Sequence, residues 1–168
     1  NERLRKEAQL LAQQLEERVA VRTTQLAQAH DRLQLILDSV DEAIYFMDAD
    51  NSLLYMNPAA EHITGYTSGQ ALGSKMALWR GTTGDAILDQ LNRAVAEKRS
   101  WRGDVVNRRQ DGVLYDAELR IIPVLDANGY VESFVATQRD VSYQKELQRL
   151  KAQFVYRIGH ELRTPLTN

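Results

Sequence analysis

Hydrophobic positions change period twice along the chain. From Asn1 to about Val40 they recur at steps of three and four: Leu4, Ala8, Leu11, Leu15 and Val19 lead into Leu26, Ala29, Leu33, Ile36 and Val40. The stretch holds no proline or glycine and is dominated by Leu, Ala, Glu, Gln and Arg, so the pattern predicts one long helix. From Val19 onward the steps alternate three and four if Arg22 fills a seam position, which is heptad spacing. Two successive steps of four between Leu11 and Val19 mark a stutter, where a supercoil locally unwinds. A narrow stripe on so long a helix cannot be buried on itself, so the expected partner is a second copy of the chain in a parallel coiled coil. Arg22 in that seam is either a register-setting polar residue or, more commonly, a snorkelling side chain, and His30 is most simply a solvated one.

Between about residues 39 and 141 the period shortens to two. Ala43–Asp48 and Ser52–Met56 flank Ala49-Asp50-Asn51, a hairpin pattern. Asn57 is a candidate cap for a short helix with Pro58 in its first turn. A second helix is predicted over Gly84–Lys98, with Ile87, Leu88, Leu91 and Val95 on one side. Three strands follow, Trp101–Arg109, Val113–Val124 and Tyr130–Asp140, joined by Gln110-Asp111-Gly112 and Asp126-Ala127-Asn128-Gly129. In the middle strand Val113, Tyr115, Ala117, Leu119 and Ile121 alternate with Asp116, Glu118 and Arg120, so one face is expected dry and the other wet. The order predicts an α+β domain: a five-stranded antiparallel sheet with helices on one face. Trp101, Gly103, Val105 and Asn107 alternate onto one side of their strand, which makes Trp101 and Asn107 candidate pocket residues; an Asn107 bonded to the nearby turn is the equal alternative.

The third period is helical again. Tyr143, Leu147, Leu150, Phe154 and Ile158 are spaced four, three, four and four, and Asp140 or Ser142 can cap the helix they define. At its far end Phe154, Val155, Ile158, Leu162 and Leu166 form one stripe, with His160 roughly opposite and Glu161 and Thr164 beside it. An exposed imidazole, with an ordinary pKa of about 6.5, carries a free lone pair near neutrality. With a carboxylate holding its other proton it becomes a better nucleophile toward phosphorus.

Composition removes several functions. The chain has 168 residues, with 21 Lys and Arg against 23 Asp and Glu, a balance that supports neither nucleic acid nor an anionic membrane as partner. There is no cysteine, which excludes disulfides, thiolate metal sites and thiol adducts and accords with a cytoplasmic location. Apolar runs such as Ala43–Met47 are too short to span a bilayer, so direct membrane contact is not expected, and any anchor would lie upstream. The start in mid-helix suggests a piece of a longer protein.

Three resemblances add to this reading. Asn57-Pro58-Ala59-Ala60-Glu61 with Thr64-Gly65-Tyr66, Trp101-Arg102-Gly103 with Asn107-Arg108-Arg109-Gln110-Asp111-Gly112, and Arg139-Asp140-Val141-Ser142 together resemble a PAS sensor domain. Residues 100–112 look like the corresponding stretch of members that hold flavin adenine dinucleotide (FAD) noncovalently; an empty pocket is the alternative. A thiol-adduct flavin lacks its cysteine, and the haem-binding pattern lacks its histidine on Gly84–Lys98; His62 is a surface residue on this reading. The run from Phe154 to Leu166, with its His160-Glu161-Leu162-Arg163-Thr164-Pro165-Leu166 core, resembles the phosphoacceptor segment of sensor histidine kinases. The resemblance implies His160 as phosphoacceptor, Glu161 as its general base, Thr164 as the residue placing water for phosphatase action, and Pro165 as a helix kink. Gly159 departs from the serine more common there. Residues 15–23 also resemble linker helices that carry signals from upstream domains.

The expected organisation is a signalling helix over 1–38, a PAS domain over 39–141, and an output helix over 142–168 entering the phosphoacceptor domain. The parent would be a dimeric, ATP-dependent histidine kinase acting on a response regulator, with ATP bound by a domain absent here. This fragment alone would not phosphorylate itself. The competing expectation is a homodimeric PAS ligand-binding or interaction module without phosphotransfer.

Overall fold

The computed structural model describes residues 1–75 and 80–163, the side chains of residues 160–163 excepted. It divides into two compact units, Asn1–Val40 and Asp41–Asn168.

The first unit is a single helix, α1 (Glu2–Asp38), the predicted element with its end at Asp38 rather than Val40. The helix stops at Ser39, whose amide donates to the carbonyls of Leu35 and Ile36 and whose hydroxyl donates to Ile36 again. Thr23 and Thr24 return their hydroxyls to the carbonyls of Val19 and Ala20, so mid-helix polar groups are satisfied locally. Nothing within this unit covers the stripe from Leu4 to Ile36, and α1 buries none of its residues.

The second unit runs β1 (Ala43–Asp48), β2 (Leu53–Met56), α2 (Pro58–Thr64), α3 (Ser68–Ala71), α4 (Asp85–Ala96), β3 (Trp101–Arg108), β4 (Leu114–Leu125), β5 (Val131–Asp140) and α5 (Ser142–Arg163). The five strands form one antiparallel sheet in the order β2-β1-β5-β4-β3. The first hairpin turns at Asn51, which takes the left-handed conformation, while the Asp48 carboxylate accepts from the amides of Asp50 and Ser52.

Alternation assigns the faces. Ala43, Tyr45 and Met47 of β1, Tyr115, Ala117, Leu119 and Ile121 of β4, and Phe134 and Ala136 of β5 are buried together. Residues of intervening parity, such as Phe46, Glu118 and Arg139, lie on the wetter side. Ile87, Leu91 and Val95 of α4 and Ile63 of α2 pack against the buried face, so the core lies between helices and sheet. Val113, expected on the dry face, precedes β4 and is 54% exposed. Tight curvature at Gly112 carries Arg109 N–H to the Val113 carbonyl and ends the pairing there.

Residues 80–83 add a short edge beside β3. Arg80 bridges to Asn107, Gly81 N–H donates to the Val106 carbonyl, and the Thr83 hydroxyl both donates to that carbonyl and accepts from Val106 N–H. The approach requires glycine: a Cβ at residue 81 would sit 2.4 Å from the Val106 oxygen.

Asn57 ties the start of α2 to the sheet. Its Oδ1 accepts from Ile44 N–H (2.9 Å) and Ala60 N–H (3.0 Å), and its Nδ2 donates to the Glu42 carbonyl (3.0 Å). The residue is fully buried, so truncation to alanine removes a helix cap and strands backbone groups away from water. Asn57→Ala is expected to lower stability by about 3 kcal/mol. Asn57→Asp, which keeps the acceptor and loses the donor facing Glu42, should also destabilise; chemical denaturation of both variants checks this.

Candidate functional site

The inward parity of β3, β4 and β5 is interrupted by three polar side chains. Asn107, Tyr115 and Gln138 stand among apolar neighbours, and all three are buried. Register explains how they meet: Asn107 is opposite Tyr115 across β3 and β4, and Leu119 is opposite Gln138 across β4 and β5. Asn107 Nδ2 donates to Gln138 Oε1 (3.2 Å), and Gln138 Nε2 donates to the Tyr115 hydroxyl (2.6 Å). Burial raises the Tyr115 pKa, with Gln138, Asn107 and Arg109 opposing the rise. Tyr45, alongside, is raised well above the ordinary phenol value by burial and by Tyr115. Both rings are therefore neutral phenols at physiological pH.

Asn107 faces a cavity between α4 and the β3–β4 part of the sheet, lined by Thr83, Leu88, Leu91, Val105, Leu119 and Ile121 with Arg80 at its margin. Its volume is about 60 Å³. Ligand pockets begin near 300 Å³, so the cavity takes a few small groups, and the fused rings of a flavin do not fit it in this closed form. Trp101 does not line it. The indole instead lies back over Gly103 on its own strand, half-buried against the core. Of the two sequence-derived pocket candidates, Asn107 is thus in the cavity wall and bonded to Gln138 rather than to the turn, and Trp101 is not part of that wall.

From the polar cluster a second set of contacts leads to α5. The Arg109 guanidinium lies 4.3 Å from the Tyr115 ring centre, a cation–π stack. The same group donates to the Ile63 carbonyl near the end of α2 and pairs with the Asp140 carboxylate. Asp140 Oδ1 accepts from Ser142 N–H (2.9 Å) at the entry to α5. Ser142 Oγ accepts from Asp116 N–H (2.9 Å), and Val141 N–H donates to the Asp116 carbonyl (2.9 Å). Lys145, one turn into α5, bridges Asp104 and Asp116 at 2.9 Å each, and those bonds raise its pKa.

Gln138, Tyr115 and Arg109 were not singled out as site residues by sequence reasoning. For Gln138 a signal existed: Phe134, Ala136 and Gln138 share one parity, so an amide stands in a dry row. For Arg109 there was none, since two of its three contacts, Ile63 and Asp140, lie 46 and 31 residues away. His160 and Glu161 fall within the backbone of α5, but their side chains lie outside the described residues, as do Thr164 and Pro165 altogether. His62 is exposed on α2. Among the described residues no cluster of three or more His, Asp or Glu could hold a metal, and no helix is long and apolar enough to cross a membrane.

The junction has a pH signature. Burial pushes the Asp140 pKa up, but the Ser142 bonds and Arg109 outweigh it and hold the carboxyl below the ordinary range. A depressed carboxylate stabilises the fold above its unfolded pKa of about 3.9, and the contribution vanishes as pH falls through the folded value. Stability is therefore expected to drop on acidification below about pH 4. Asp140→Asn should flatten that part of the profile while lowering stability at pH 7, as denaturation midpoints across pH would show.

The PAS domain family model matches residues 41–142, more than half of the chain. The nitrogen fixation regulatory protein of Klebsiella oxytoca is 34% identical over 129 residues, covering 75% of this chain and 26% of that protein. A blue-light-activated histidine kinase of Brucella canis is 32% identical over 102 residues, 60% of this chain and 20% of the relative. The chain thus spans about a quarter or less of these relatives. Among solved structures, an RNA-binding light-oxygen-voltage receptor superposes with a TM-score of 0.69 at 27% identity, over 77% of this chain and 38% of that one. Five antiparallel strands with helices on one face, a polar cluster beneath them, and a family match coincident with the second unit give one conclusion: the chain belongs to the PAS domain family.

Proposed function

We propose that this chain is the sensory and signal-transmitting core of a two-component sensor histidine kinase. The observation that carries the reading is the unbroken series of contacts from the cavity to the output helix: Asn107, Gln138, Tyr115, Arg109, Asp140 and Ser142. A ligand that pulls the Asn107 amide into the cavity takes a donor from Gln138. The Gln138 amide then reorients, and the Tyr115 hydroxyl loses or changes its partner. Arg109 responds through the ring and alters its pairing with Asp140, which sets the first turn of α5. Such a shift needs only that the ligand prefer one of two packings by a few kcal/mol.

α5 continues to the His160 stretch, whose His160-Glu161-Leu162-Arg163-Thr164-Pro165-Leu166 sequence supports phosphoacceptor chemistry. In this reading His160 attacks the γ-phosphorus of ATP held by another domain of the parent, forming an N–P bond as the bond to the departing ADP oxygen breaks. Glu161 holds the proton on the other ring nitrogen, and Thr164 places the water that later removes phosphate from the response regulator. The apolar stripes of α1 and α5 pair with those of a second copy as parallel coiled coils, and the assembly works in the cytoplasm. A noncovalent flavin such as FAD is the cofactor the sequence resemblance favours; the relay uses none of its chemistry and serves any ligand that engages Asn107.

The test uses the complete parent protein. His160→Gln is expected to reduce incorporation of labelled phosphate from ATP to background, about a hundredfold or more, as loss of a nucleophile requires. Undiminished labelling of the variant would remove the phosphotransfer role and leave a ligand-binding module.

A further inference from the structure

We infer that the attachment of α5 to the sheet is a clamp sensitive to ionic strength, a second input to the output helix that bypasses the cavity. It stands on the junction geometry and needs neither a ligand nor phosphotransfer. On the wetter side of β3 and β4, Asp104 is directly opposite Glu118, and Asp116 lies two residues from Glu118 on the same face. Like charges opposite each other across strands repel, so carboxylates placed this way need cations among them. Glu118 has two from the sheet itself: Arg102 Nε donates to it at 2.9 Å, and Arg139 pairs with it at 3.4 Å. Asp104 and Asp116 are answered from outside the sheet by Lys145 of α5, which reaches each at 2.9 Å. The charge balance of this face is therefore completed by the helix that it holds.

Dissolved ions reach these groups. The side chains of Lys145, Asp104 and Asp116 are 38%, 57% and 39% exposed, against 26% and 27% for the Arg109–Asp140 pair. The screening length falls from about 10 Å at 0.1 M salt to about 3 Å at 1 M, the span of the Lys145 bonds themselves. Salt therefore weakens this attachment more than the half-buried one beside it. The hydrogen bonds from Asp116 and Asp140 hold Val141 and Ser142, at the very start of the helix. Lys145, one turn on, supplies a second point of attachment. Two points fix a direction, whereas one leaves a pivot, so screening of Lys145 converts a clamped helix into a hinged one.

Hydrogen exchange of the α5 amides from Glu146 to Leu150, in the complete chain, reads the clamp. Raising KCl from about 0.05 M to about 1 M is expected to speed their exchange about threefold, with little change in the core of β4 around Ile121. Sucrose at matched osmolality should leave α5 exchange as it was. Lys145→Gln should exchange at about the high-salt rate already in low salt. Neutralising the whole clamp, with Asp104→Asn, Asp116→Asn and Lys145→Gln together, should abolish the salt response. Arg149→Gln, which removes an exposed pair with Glu146 on the same helix, should retain it. Melting curves establish that each variant is folded. A salt-insensitive α5 in the unaltered chain overturns the clamp, as does an equal response to sucrose. Slow low-salt exchange in Lys145→Gln, or an undiminished salt response in the neutralised chain, overturns it too, and neither result touches the cavity or the phosphotransfer reading.

Discussion

Burying an amide on the dry face of a sheet is the constraint on which the rest of this domain depends. Gln138 is fully buried on β5, flanked by β1 and β4, and an unpaired amide there would cost several kcal/mol. Its partners come from two other strands, Asn107 on β3 and Tyr115 on β4. The bonds form only in the observed register. A one-residue slip of β5 would turn Gln138 to the wet face and bring Thr137 and Arg139 inward. Polar satisfaction and apolar burial therefore select the same sheet. The same network joins the cavity to the part of the sheet from which α5 departs.

Arg109 extends that constraint beyond the sheet. Located just past β3, it reaches the Ile63 carbonyl, the face of Tyr115 and the Asp140 carboxylate. A planar guanidinium can stack and donate in its plane at the same time, which a lysine ammonium cannot. Three segments far apart in sequence thus share one cation. Displacement of Tyr115 changes the cation–π contact, and Arg109 must divide itself anew between α2 and the entry to α5. Partial burial of the Arg109–Asp140 pair protects it from the screening that makes most surface pairs weak.

Local chemistry made much of this legible in the sequence. The Asn57-Pro58 start of α2, the Asn51 hairpin, the turn at Gly112 and the alternation from Tyr115 to Ile121 all depend on neighbours within a few residues. What escaped depends on distance. Val113 is the local exception: it obeyed the alternation yet fell outside the strand because the turn at Gly112 closes on it. Asn107 was recognised as a polar group at an inward position, but choosing between the turn and the pocket required Gln138, thirty-one residues away. Trp101 was placed on the correct side of its strand, while the direction of its ring followed from a missing Cβ two residues on. A side chain's facing is written in local parity; its partners are written in topology.

The junction at α5 shows why so small a network can matter to a long helix. Asp140, Ser142 and Lys145 fasten the first turn of α5 to β3 and β4, and every one of these tethers is polar. Hydrogen bonds and partly exposed ion pairs exchange partners with little net cost, unlike close-packed apolar contacts. Along the same helix, Tyr143, Leu147, Leu150, Phe154 and Ile158 form a stripe that the second unit leaves exposed. The rotational phase of that stripe is set where the helix leaves the sheet, because α-helical hydrogen bonding carries a twist at one end to the other. A stiff helix with a polar, exchangeable attachment and an uncovered apolar face has the mechanical properties of a lever. The attachment, rather than the shaft, is where a change of a few kcal/mol in the pocket can be felt.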